Sequence, residues 1–267
     1  TEAPTAAPTA APTAAPTAAP PPVPTEQPIT ITFWHQEQVA VLAVGCSAEP
    51  YRQGPPVADS GLERELRQSF AARYPAGFRA VHRVILTASG RQFTFTGYLV
   101  GQAPGDVRLL AAAEIGGTAF EVIRRADGDR HILRTLPGRT PARAARDAAR
   151  DAANICFGRP LASAVLTRPS RDTLALTEGL SDGRVREFQF DAATHRLAKY
   201  LEARGKRVRY EIAFSDEGAL PDWPTPVPRR ITVVDRSEGY RADIRVLELK
   251  PATADPALFS PEPSRAR

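Results

Sequence analysis

No methionine occurs in this sequence, cysteine occurs only at Cys46 and Cys156, and lysine only at Lys199, Lys206 and Lys250, so nearly all of its 35 basic residues are arginine. The cysteines are too far apart for a zinc motif, and His35, His82, His131 and His195 fall at no ligand spacing; no metal site is expected. Glycine is not arranged for phosphate either, because Gly116-Gly117 lacks both the spacing of a phosphate loop and a following helix. No cofactor is expected. Long apolar runs are also missing. The longest, Val39 to Gly45, is far below the ~20 residues that cross a bilayer. The net charge of +5 is scattered and interleaved with acids. It forms no basic stripe, which argues against nucleic acid as a partner. A general attraction to anionic surfaces, lipid headgroups included, fits better.

What the chain has is a folded middle between proline-rich ends. Residues 1–28 are a Pro/Thr/Ala tract built around a PTAA repeat, and Pro251, Pro256, Pro261 and Pro263 crowd the other end. The expectation is a disordered linker over 1–57, one domain over 58–250 and a disordered tail over 251–267. Ile29 to His35 resembles the first strand of bacterial extracellular solute-binding proteins. Leu42-Ala-Val-Gly-Cys46 resembles a lipobox, the site at which bacterial lipoproteins are cut before an acylated cysteine. Small residues precede Cys46 and a polar, Pro-rich tether follows, but Gln36, Glu37 and Gln38 stand where a leader carries positive charge. The alternative is a short apolar stretch with an incidental cysteine. If Cys46 is acylated, residues 1–45 are absent from the mature protein, and a Cys46–Cys156 disulfide is excluded.

The most regular stretch is Lys206 to Ser215, where Val208, Tyr210, Ile212 and Phe214 alternate with mostly charged residues. Period two marks a strand with one buried face. Ile231 and Val233, then Ala242, Ile244 and Val246, repeat the pattern across a short Ser237-Glu-Gly239 turn. Earlier strands are expected over 78–87, 91–100, 107–113, 118–125 and 130–136, with Phe93, Phe95, Gly97 and Leu99 sharing a face. Counting 161–167, 172–177, 184–190 and 195–203 as well, the reading is mainly β, with about eleven antiparallel strands. A helix over 61–74, capped by Asp59 or Ser60, precedes them. A second helix over 141–155 interrupts them. Its apolar stripe, Ala145, Ala148, Ala152 and Ile155, is thin, and Arg143–Asp147 and Asp147–Arg150 are expected ion pairs.

Gly179-Leu-Ser-Asp-Gly183 fits the G-x-S-x-G pattern of serine hydrolases, with His195 downstream. That chemistry needs a strand-to-helix elbow on a mainly parallel sheet. Here the motif joins two short β-runs, where Ser-Asp-Gly is ordinary turn chemistry. An esterase acting through Ser181 is the least favoured reading, and no enzyme is expected.

From about Leu62 to Lys250 the chain resembles the lipoprotein-localisation family of the Gram-negative envelope, the LolA carriers and LolB receptors. Phe93-Thr-Phe-Thr-Gly97 with the loop that follows resembles the family's early hairpin, and Thr118 to Val122 one of its next strands. The helix from Pro141 falls where the family has a lid, and Asp222 to Ile231 resembles its closing segment. The resemblance implies a curved half-barrel under a lid helix, with an apolar cavity for acyl chains. Phe93, Phe95, Leu99, Tyr210, Ile212, Phe214, Ile231 and Ile244 are its expected wall; the competing reading makes the same stripe plain core. It further implies a monomeric lipoprotein, anchored through Cys46 to the outer membrane facing the periplasm, whose partners are acyl chains or lipoproteins. In the family's receptors the protruding loop carries an exposed leucine, whereas Gly101 to Asp106 offers no large apolar residue. A structural lipoprotein whose sheet is filled by its own side chains remains the alternative.

Overall fold

The computed structural model describes residues 50–261 apart from 72, 115 and 136–141. Cys46, the Pro/Thr/Ala tract and the lipobox-like segment lie outside the described residues. Helix α1 (Ser60–Ala71) is followed by strands β1 (Gly77–Ala88), β2 (Arg91–Gln102), β3 (Asp106–Ala113), β4 (Thr118–Arg124) and β5 (Arg130–Thr135). Helix α2 (Ala142–Phe157) comes next. Then follow β6 (Val165–Ser170), β7 (Thr173–Gly179), β8 (Arg184–Asp191), β9 (Leu197–Arg204), β10 (Arg207–Leu220), β11 (Trp223–Asp235) and β12 (Tyr240–Pro251).

All twelve strands join one antiparallel sheet in the order β5-β4-β3-β2-β1-β12-β11-β10-β9-β8-β7-β6. The chain thus builds one half outward from β1, crosses by α2 from the β5 edge to the β6 edge, and returns strand by strand until β12 pairs with β1. The sheet stays open because β5 and β6 do not pair.

Local chemistry explains most of these elements. The β1–β2 turn is Ser89-Gly90, both left-handed (φ 50° and 72°), the geometry that matches the twist of a two-residue hairpin. In β10, Tyr210, Ile212 and Phe214 are buried and the residues between them are not. Both β10 and β11 run further than the alternation suggests, to Leu220 and from Trp223. Three prolines, Pro224, Pro226 and Pro228, are tolerated because alternate positions put every missing N–H on one side of the strand. β12 pairs with β11 only from Arg230 onward, so that side has no ladder to break.

Asp59 caps α1, its Oδ1 accepting from the Leu62 N–H at 2.9 Å. Phe70 packs edge-on against Phe188 and Phe190 of β8, and Arg67 donates to the Leu161 and Ala164 carbonyls. Ahead of α1, residues 51–57 strap the outer face of the sheet. The Tyr51 hydroxyl donates to the buried Glu187, and Pro56 bridges to Thr167 of β6. Gly54 is required there: a Cβ would sit 2.4 Å from the Arg168 backbone carbon. The far end of the chain also packs. β12 extends to Pro251, and a 3-10 turn over Pro256–Phe259 buries Phe259 against Ile123. Arg108 donates to the Leu258 carbonyl at 3.1 Å. Proline content alone had marked this stretch as a tail.

Candidate functional site

Between α2 and the inner face of β1–β4, β11 and β12 lies a cavity in which a water-sized sphere has about 240 Å³ of room. Its floor is apolar and closed: Leu99, Leu109, Phe120 and Ile155 are all buried. Toward the ends of β1 and β12 and the start of α2 the lining becomes exposed, at Ser89 and Arg143, so the mouth lies on that rim. Arg143 pairs with Glu238 across it, not with Asp147 as helical spacing suggested. Asp147 does pair with Arg150, at 3.8 Å.

Gly97 creates part of the space. It sits opposite His82 in the β1–β2 register, and a Cβ built on it would meet Leu109, His82 and Val84 at 3.6–3.9 Å, all cavity residues at ordinary contact distance. His82 is the polar exception in this wall. It is buried, has no hydrogen-bond partner among the described residues, and burial holds its pKa down at about 4, so the ring is neutral at neutral pH. Cys156, a free thiol, also lines the cavity; burial pushes its pKa up to about 12.

Helix α2 is held over the cavity by more than its alanines. Asp151 is buried beneath it, and Oδ1 accepts from the Tyr210 hydroxyl at 2.8 Å and from Arg150 Nη2 at 3.0 Å. Its Oδ2 accepts from the Tyr240 hydroxyl at 2.5 Å. Arg150 also donates to Asp235 at 2.8 Å and lies over the Tyr210 ring, 4.7 Å from its centroid. Asp235 in turn accepts from the Ser237 and Glu238 N–H groups, which fixes the β11–β12 turn. Burial raises the Asp151 pKa, with Arg150 and the two hydroxyls pulling it back. Burial and the adjacent carboxylate raise both tyrosines far above their ordinary range. A thin alanine stripe suggested a helix lying lightly on the sheet; a buried polar clamp ties it to β10, β11 and β12.

Four of the eight residues named as wall from the sequence, Phe95, Leu99, Ile231 and Ile244, line the cavity. Tyr210, Ile212 and Phe214 do not. They are core under α1 and α2, with the buried Arg73 guanidinium 4.2 Å from the Phe214 ring centroid. Phe93 has the right strand parity, but it stands near the mouth beyond the cover of α2 and is 41 % exposed. Ser181 is exposed in the β7–β8 turn, closed by a bond from the Leu180 N–H to the Arg184 carbonyl at 2.8 Å. His195 lies in the turn at the other end of β8, roughly 26 Å along the strand, and bonds Glu65 at 2.7 Å. No hydrolase geometry joins them. Among the described residues no group of His, Cys, Asp and Glu is placed to hold a metal. None of their helices is long and apolar enough to cross a membrane.

The open, helix-covered antiparallel sheet is similar in fold to a solved structure from the LolA superfamily. A LolA superfamily protein from Nitrosomonas europaea matches at a TM-score of 0.50 and 10% identity, over 74% of this chain and 96% of that one. A putative outer membrane lipoprotein-sorting protein domain from Vibrio parahaemolyticus aligns over 74% of this chain and 97% of its own, at 12% identity and a TM-score of 0.44. A DUF1329 family protein from Desulfovibrio piger covers 74% and 94%, at 11% identity and the same TM-score. No family model and no curated protein matches the sequence.

Proposed function

We propose that this protein is a non-enzymatic component of the bacterial envelope that holds an acyl chain, free or attached to a lipoprotein, in the cavity beneath α2. The observation that carries this reading is the cavity: an apolar space, closed at its floor and open at one rim. Fold likeness to the LolA superfamily supports a role of the lipoprotein-sorting kind. Cys46 as the lipid-attachment residue and the outer membrane as the location belong to the same reading.

Gly97 supplies the test. Its backbone conformation is an ordinary one and a Cβ meets nothing closer than 3.6 Å, so Gly97→Leu extends a side chain into empty space. Filling it leaves the apo protein as stable as before or more so. Binding of a fluorescent fatty acid, read by titration, should be lost. A Gly97→Leu protein that binds the probe like wild type would put the acyl chain outside this cavity, and a wild type that binds none would mean the sheet serves structure alone.

A further inference from the structure

The cavity opens on a rim whose charge is unbalanced. Antiparallel pairing puts the β1–β2, β3–β4, β7–β8, β9–β10 and β11–β12 turns on this rim and the remaining turns on the opposite one. Each acid of the described mouth-rim turns is engaged by an arginine: Glu114 by Arg83, Asp182 by Arg184 and Glu238 by Arg143. Arg91, Arg204, Lys206 and Arg207 are exposed and have no ion-pair partner among the described residues. On the opposite rim the arginines are interspersed with Asp127, Asp129, Asp172, Asp191 and Asp222.

Register sharpens the contrast. Arg184 lies directly across from Arg204, and Arg204 directly across from Arg207. Like charges set opposite each other repel, so the arrangement is destabilising in isolation. Arg184 is offset by Asp182 and Glu202; Arg204 and Arg207 have no such relief, and an external anionic surface supplies it. Phe93 adds an exposed apolar ring to the same rim, two residues along β2 from Arg91. The N-terminal strap arrives here too, the Tyr51 N–H donating to the Lys206 carbonyl at 3.0 Å. Cys46 is five residues earlier in sequence, a reach of at most ~18 Å of extended chain.

We infer that this rim docks on an anionic lipid bilayer, with the cavity mouth turned toward the headgroups. Cations at the tips of two hairpins, β1–β2 and β9–β10, well apart along the rim and one of them beside an exposed aromatic, suit an extended charged surface better than the concave contact of one acidic protein. Docking of this kind does not require the cavity to bind an acyl chain, so its test and the Gly97→Leu test fail separately.

The experiment is co-sedimentation of the full chain carrying Cys46→Ser, which removes any acyl anchor, with vesicles of phosphatidylglycerol and phosphatidylethanolamine or of phosphatidylcholine alone. Binding is expected only to the anionic vesicles, and should fall away at high salt. Each basic residue near such a surface contributes about fivefold to the partition constant. Arg204→Gln/Lys206→Gln/Arg207→Gln should therefore weaken binding on the order of a hundredfold. Arg125→Gln/Arg130→Gln/Arg171→Gln, the same charge removed from the opposite rim, should leave binding nearly intact. Equal loss in the two triple variants, equal binding to phosphatidylcholine, or binding to polyglutamate without binding to vesicles would each overturn the proposal.

Discussion

Asp151→Ala is the perturbation that measures how α2 is held. The wild-type carboxylate receives Tyr210, Tyr240 and Arg150 within 2.5–3.0 Å in a buried setting. Removing it leaves the Tyr210 hydroxyl without its acceptor and Arg150 with Asp235 as its principal counter-ion. Breaking one partner out of a buried pair costs about 3–5 kcal/mol. For comparison, Ala145, Ala149, Ala152 and Ala153 bury one methyl each, at about 0.8 kcal/mol apiece, or roughly 3 kcal/mol together. With the buried Ile155 adding about 1.5–3 kcal/mol, the polar clamp and the apolar stripe are of similar size. Denaturant unfolding of Asp151→Ala should show that loss, and thermal unfolding a Tm lower by roughly 6–20 °C. Hydrogen exchange localises it: α2 amides should exchange on the order of a hundredfold faster, while β10 follows only the global change. Tyr210→Phe, which removes a single donor, should cost about 1.5–3 kcal/mol. An Asp151→Ala protein with unchanged midpoint and unchanged α2 exchange would refute the clamp and return α2 to a helix held by its apolar stripe alone.

Two further outcomes are expected. His82 titrates near 4 when folded and near 6.5 when unfolded, so its neutral burial favours the fold fully above pH 6.5 and less as the pH falls toward 4. Between those limits wild type should lose about 3 kcal/mol more stability than His82→Leu, measured by denaturant unfolding across the range; parallel pH curves would show that the ring is solvated. Cys46→Ser in the native envelope should turn attachment that survives a high-salt wash into attachment that high salt releases to the soluble fraction. Intact mass of the membrane-extracted wild type should show a diacylglyceryl addition and no residues before Cys46, and a free, unprocessed chain would remove that part of the reading.

The sheet was legible because its signal is local. Val208, Tyr210, Ile212 and Phe214 declare their face within seven residues, and the fold places that face inward. Parity says which way a side chain points but not how far along the strand the cover extends, and Phe93 was misplaced for that reason. Nor does parity distinguish a packed neighbour from an empty one, so Tyr210 and Ile244 read alike although only Ile244 meets the cavity. The clamp left no pattern to read. Asp151 and Tyr210 are 59 positions apart, and a charged residue on a helix looks solvated until the strand beneath it is known. Gly97 was the one trace of the cavity visible in the sequence, a residue without a side chain in the middle of a buried row.

The pairing of β1 with β12 joins the first strand made to the last, Phe78 lying across from Pro251. Until Tyr240–Pro251 leaves the ribosome, the β1–β5 half carries a bare inner edge at β1 and the β6–β11 half carries another at β11. Contacts of such sequence separation form slowly, and the unpaired edges stay open to other chains in the meantime. Emergence order thus makes the final strand a checkpoint. The chain remains incompletely folded until nearly its whole length has emerged, while any truncation before Tyr240 yields two sheets seeking partners instead of one continuous sheet.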